Sequence, residues 1–151
     1  MSHAKFNLKA DRQLSNKGRQ MPINSAIETS PTDFHALMER IRAENRVSFS
    51  PELYMEVFAM DEQTFSRLAH VPPDAVRTAP ESERIQDYIR STLRVLSAVA
   101  DTGTDIGKAI YWLRSVHLST FNDKTAEEMV SEGRTAQLID YLRSWEAGAQ
   151  G

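Results

Sequence analysis

The stretch PESERIQDYIRSTLRVLSAVAD, residues Pro80–Asp101, carries the pattern on which the fold turns. Ile85, Ile89, Leu93 and Leu96 recur at helical spacing and mark one face, with Tyr88, Thr92, Val95 and Val99 beside it. Pro80 cannot continue a helix from the N-terminal side, and TGTD breaks the run after Asp101. This is the longest helix the sequence predicts.

Working back toward the N-terminus, three more helix starts are readable. SPTDF places Asp33 as a cap before Phe34, Leu37, Met38 and Ile41. SFSPELYMEVFAM begins with Ser50 as N-cap and Pro51 at the first helical position, where its missing N–H costs nothing. MDEQTFSRLAH is capped by Asp61, and VPPDAVR is a short fourth helix. Toward the C-terminus, DIGKAIYWLRSVHL carries an Ile106, Ile110, Leu113 stripe that ends at Val116 or His117. STFND is a loop, and KTAEEMVSEG ends at Gly133 in a left-handed cap. RTAQLIDYLRSWEAG, buried through Leu138, Ile139, Leu142 and Trp145, ends at Gly148. No period-2 alternation and no hairpin dipeptide occurs, so the fold class is all-α. The expected organisation is a basic arm over residues 1–30, a helix-turn-helix-like region over 31–101 and a small helical module over 102–151.

Composition excludes several classes. The 151 residues contain no cysteine, so there is no disulfide framework and no thiolate site. No apolar run approaches the roughly 18 residues of a membrane span, and the N-terminus has no apolar segment of a secretory signal; the expected location is the cytoplasm, with no membrane partner. Net charge is −3, but the first twenty residues set Lys5, Lys9, Arg12, Lys17 and Arg19 against Asp11 alone. From Asp101 onward eight acids face five bases. A basic arm and a mildly acidic module predict two kinds of partner.

Catalytic and metal chemistry find little support. His3, His35, His70 and His117 are scattered, with no ligand spacing between them, and His117 reads as a core or interface residue. TGTDIGK lacks the phosphate-loop pattern and reads as a turn with Asp105 as N-cap. Glu127 and Glu128 point to two sides of a helix and cannot flank one bond. No cofactor and no enzyme activity are expected.

The helix-turn-helix candidate runs Asp61–His70, then Val71, then Pro72–Thr78. Phe65, Leu68, Ala69 and Val71 supply its packing face, Val76 packs the second helix, and His70 takes the left-handed turn position usually held by glycine. Pro73, Asp74, Arg77 and Thr78 would face a groove, and of these Arg77 and Thr78 are the usable DNA contacts. Between Glu62 and Pro80 two acids cancel Arg67 and Arg77, so Lys5, Lys9, Arg12, Lys17 and Arg19 would have to supply phosphate contacts.

AIYWLRSVHLSTFNDKTAEEMVSEGRTAQLIDYLRSWEAG, residues 109–148, has a further rhythm: Trp112–Leu113 closing a helix, a loop, the KTAEEMV helix, Gly133, and a last amphipathic helix. In order and spacing it resembles the toxin-binding domain of the Xre/MbcA/ParS antitoxins, partners of RES-domain toxins. The resemblance covers about residues 50 to 151, including the upstream helix-turn-helix-like region. The family loop often reads glycine and then TP; here FNDKTA stands in its place, so Asn122 or Asp123 must supply the turn. The resemblance implies a homodimer that inhibits an NAD-consuming or ADP-ribosylating RES-domain toxin by covering its active site with the C-terminal tail. It also implies repression of the protein's own operon through operator DNA. The toxin-binding residues would be Arg143, Trp145, Glu146, Ala147, Gly148, Ala149, Gln150 and Gly151. A helix-turn-helix regulator without a toxin partner is the alternative, and an adaptor that binds another protein through the acidic half is a third reading.

Overall fold

A computed structural model describes residues 33–150, with side chains as far as Trp145. Eight helices occur among the described residues: α1 Phe34–Ile41, α2 Pro51–Phe58, α3 Glu62–Ala69, α4 Ala75–Thr78, α5 Glu83–Ala100, α6 Ile106–Ser115, α7 Ala126–Ser131 and α8 Thr135–Gln150. Their starts follow the sequence. Asp33, Ser50 and Asp61 each accept a backbone N–H of the first turn, from Ala36, Leu53 and Thr64, at 2.7, 3.1 and 2.8 Å. Asp105 caps α6 through the N–H groups of Gly107 and Lys108. Thr125 and Glu128 add a reciprocal capping box at α7, written in the sequence as T-A-E-E. His70 at φ 60° and Gly133 at φ 78° hold the left-handed positions that end α3 and α7.

The long helix α5 is the pillar of the fold. It buries Ile85, Gln86, Tyr88, Ile89, Thr92, Leu93, Val95, Leu96 and Val99, and packs against α1, α2, α3, α6, α7 and α8. Both of the faces expected from its spacing are inside. Tyr54 and Phe58 of α2 stack at 4.1 Å, and Phe65 of α3 and Tyr88 of α5 meet Tyr54 edge-on at 5.4 and 6.0 Å. Buried residues on both sides of position 101 belong to one hydrophobic cluster, from Leu37 to Leu142. No helix among the described residues is long and apolar enough to cross a membrane.

Several expectations need correction. A short antiparallel ladder, β1 His117–Leu118 with β2 Lys124–Thr125, takes the place of the helix ends expected on either side of the STFND loop. Two residues per strand are too few for alternation to show. Its turn is a 3₁₀ segment, Ser119–Phe121, and both Asn122 and Asp123 adopt positive φ, at 57° and 62°. His117 is exposed, its Nδ1 2.8 Å from the Asp123 carbonyl oxygen, and so is no core residue. Trp112 is half-buried against the core, whereas Trp145 is 60% exposed: Leu138, Ile139 and Leu142 already fill the inward stripe of α8. Gly148 does not end α8, which continues to Gln150; a lone glycine between alanines costs a helix only about 1 kcal/mol.

Polar ties cross the core. The buried Gln86 amide accepts from the Phe49 N–H at 2.9 Å and donates to the Phe49 carbonyl at 2.8 Å and to the Pro80 carbonyl at 2.9 Å. Arg114 of α6 donates through Nη1 to the Phe58 carbonyl at the end of α2 and forms an ion pair with Glu127 of α7, Nε to Oε2 3.1 Å. That N–H is not aimed at the carboxylate, so the contact is coulombic and not a hydrogen bond. Ser131 donates to the Leu68 carbonyl at 2.7 Å.

Replacing Gln86 by Leu keeps the volume and strands the backbone groups of Phe49. The expected loss is about 2–4 kcal/mol, read as a lowered urea midpoint with unchanged m-value. Glu127 provides a pH test. Its burial raises the carboxyl above the ordinary value, against the pull of Arg114. Such a group binds its proton more tightly folded than unfolded, so its contribution to stability grows as pH falls through the ordinary carboxylate range and is lost as pH rises above it. The midpoint of wild type relative to Glu127→Gln therefore rises between about pH 7 and about pH 4. A fall over that interval would mean that Arg114, and not burial, governs the group.

Candidate interaction surface

The DNA-contact candidates lie on α3 and α4. The second element is a single turn, Ala75–Thr78, about 6 Å long at 1.5 Å per residue. Pro72 and Pro73 leave few N–H groups to start it, and Ala79–Pro80 stops it. Arg77 is exposed, but its Nη1 lies 2.7 and 2.6 Å from the two carboxylate oxygens of Glu62. Thr78 donates its hydroxyl to the Asp74 carbonyl at 3.0 Å. Both side chains already have partners within the chain, although Arg77 remains 65% exposed and an exposed pair of this kind is weak. Lys5, Lys9, Arg12, Lys17 and Arg19 lie outside the described residues.

The C-terminal candidates lie on α8. Its buried stripe is Thr135, Leu138, Ile139 and Leu142. Tyr141 and Trp145, four residues apart, share the adjoining outer face. Their rings are 6.2 Å apart and tilted by 30°, and Phe121 from the β1–β2 turn meets Tyr141 edge-on at 5.3 Å. The result is a ladder of three rings, Phe121, Tyr141 and Trp145, that grows more exposed toward the end of the helix. Arg143 is exposed too, but two residues from Trp145 is about 200° around a helix, so the two do not share a face. Glu146, Ala147, Gly148, Ala149 and Gln150 continue the helical backbone, while their side chains and Gly151 lie outside the described set.

The base of the ladder is held electrostatically. Arg134 sits 5.6 Å from the Phe121 ring centre, donates to Gln137 at 2.8 Å and faces Glu132 at 3.4 Å. Lys124 reaches the same Glu132 at 2.7 Å, and its hydrogen bond is the main reason that carboxyl is held below the ordinary value. Gly133 lets the chain reverse between Glu132 and Arg134. The surface is thus preordered: three rings and a guanidinium whose position is set before any partner arrives. Tyr, Trp and Arg are the residue types that dominate binding energy at protein interfaces. Among the described residues no group of three or more His, Asp and Glu side chains converges as a metal site.

The sequence placed Trp145 on the last helix as a buried residue; it is on that helix but 60% exposed. Tyr141 was legible as its i, i+4 neighbour; Phe121 was not, because only the β1–β2 turn brings it across. The exposure of Trp145 sets an expectation. Trp145→Ala should change stability by less than about 1 kcal/mol in thermal or urea unfolding, whereas Leu142→Ala should cost about 2–5 kcal/mol. Equal losses would place Trp145 in the core after all.

Comparison with protein-family models, curated proteins and solved structures finds no match to this chain.

Proposed function

We propose that this chain is the antitoxin of a type II toxin–antitoxin pair. It binds a RES-domain, NAD-consuming or ADP-ribosylating toxin through the outer face and end of α8. The observation that carries the reading is the exposed Trp145, whose ring continues the half-buried Phe121–Tyr141 pair. Tyr141 and Trp145 lie on the helix, and lead toward the end of the helix, to which the antitoxin resemblance assigns toxin contact. A 60% exposed tryptophan beside the Tyr141 ring is costly to leave in water and is a natural anchor for a partner. Because α8 stays helical to Gln150, the occluding element in this reading is a helix end and not an extended thread.

Operator binding, the second activity implied by the resemblance, has less behind it. Arg77 shares its surface with Glu62, Asp74 and Glu81, so the local charge is net negative and disfavours a phosphate.

The test is NAD consumption by a RES-domain enzyme titrated with the full chain. Wild type should inhibit it stoichiometrically. Trp145→Ala should need roughly 30-fold more protein for the same inhibition, the scale of an interface hot spot, while melting like wild type. No inhibition by the intact chain would overturn the reading.

A further inference from the structure

Between α1 and α2 the chain closes a small loop on an isolated antiparallel bridge, Arg42 with Phe49. Beside it lies a groove of about 530 Å³, lined by Phe49, Met55 and Val76 and by the charged side chains Glu52, Glu62, Arg77 and Glu81. A second groove of about 470 Å³ shares Glu52, Met55 and Glu62 with the first and continues along α2 over Leu53, Glu56 and Met60. The two form one trough.

Its frame is fixed and its floor is adaptable. Phe49 and Pro80, both in the wall, are hydrogen-bonded to the one buried Gln86 amide. Arg77 of α4 reaches both carboxylate oxygens of Glu62 on α3 and ties these two helices together. Leu53, Met55 and Met60 are half-buried, packed on the core and open to water on the other side. Methionine is unbranched and polarizable, and moulds itself to irregular apolar shapes.

Every charged side chain of the trough enters its balance. Glu62 and Arg77 offset one another in charge, and Glu56 is met by Arg40 of α1 at 2.9 Å. Arg42 and Arg46, on the loop, both turn to Glu39 and line neither groove. Glu52 makes no hydrogen bond or ion pair among the described residues, and Glu81 is met only by the neutral amide of Asn45 at 2.9 Å. Two carboxylates therefore remain without a cation, Glu52 shared by the grooves and Glu81 in the first alone. Such a surface repels phosphate and attracts an ammonium or guanidinium group.

We propose that the trough is the docking site for a basic amphipathic segment of another protein, whose apolar side chains rest on Met55, Met60 and Val76 while its lysines or arginines meet Glu52 and Glu81. An amphipathic helix laid in an apolar groove is a recurring mode of peptide recognition. Docking freezes little of the chain, since hydrogen bonds already hold the wall. The inference does not rest on the antitoxin reading, which concerns α8.

The test is a display library of random peptides of about 14 residues, four helical turns. Peptides are selected on the full chain and counter-selected on the Glu52→Lys, Glu81→Lys double variant, which removes those held by α8. Both substitutions are at exposed positions, so the double variant should melt like wild type. Survivors should carry lysine or arginine beside apolar residues at three- and four-residue spacing. In fluorescence anisotropy each single substitution should weaken a survivor by about tenfold, added salt should weaken it further, and Asp140→Lys on α8 should change nothing. No survivors, survivors without basic residues, or an Asp140→Lys effect as large as that of Glu52→Lys would each overturn the proposal. Duplex DNA that displaces a survivor would overturn it too, in favour of a nucleic-acid face.

Discussion

The Gln86 side chain meets the backbone of Phe49 as a neighbouring strand would, and its remaining N–H reaches Pro80. A primary amide can do this because it carries an acceptor and two donors in one plane. Buried at 3% exposure, it makes the entry to α2, the turn before α5 and the first buried turn of α5 one hydrogen-bonded unit. The Arg42–Phe49 bridge and the groove beside it inherit their shape from that unit. An apolar residue at position 86 would pack well and fix none of these segments.

The segments before and after position 101 are joined in a related way. Helices leave their last carbonyls without partners beyond local caps, and in α2 and α3 a side chain from later in the sequence meets one of them. The Phe58 carbonyl is met by Arg114 of α6, and the Leu68 carbonyl by Ser131 of α7. His70 adds a contact from its Nε2 to the Ser131 carbonyl at 2.9 Å. Residues beyond position 101 thus finish helices that lie before it. The pairing of Glu127 with Arg114 keeps the buried carboxylate from standing alone, although its desolvation still shows in the raised proton affinity.

Helix periodicity and caps were written plainly. Asp33, Ser50, Asp61 and Asp105 cap as their spacing requires, and the faces of α5 are inside as drawn. What failed to show was whatever depends on a distant neighbour. Gln86, Arg114 and Glu127 look like ordinary solvated residues until the fold buries them. Trp145 looks like core because a tryptophan at helical spacing usually is; only the completed inward stripe of α8 pushes it out. Phe121 joins Tyr141 through a ladder too short to leave a pattern. The candidate surface was therefore half legible: the helix and its tryptophan could be read, but not the Phe121–Tyr141 pairing that adjoins it.

The cross-capped carbonyls bear on how the chain is made. Arg114 lies 56 residues after Phe58 in sequence, and Ser131 lies 63 after Leu68. During synthesis α2 and α3 emerge with their local caps, Ala59 to Glu56 and His70 to Arg67, but without the donors that meet the Phe58 and Leu68 carbonyls. At about 5–20 residues per second, several seconds pass before the missing donors leave the ribosome. Limited proteolysis of chains stopped before residue 102 is expected to cut near the ends of α2 and α3, where the full chain, with Arg114 and Ser131 in place, is protected.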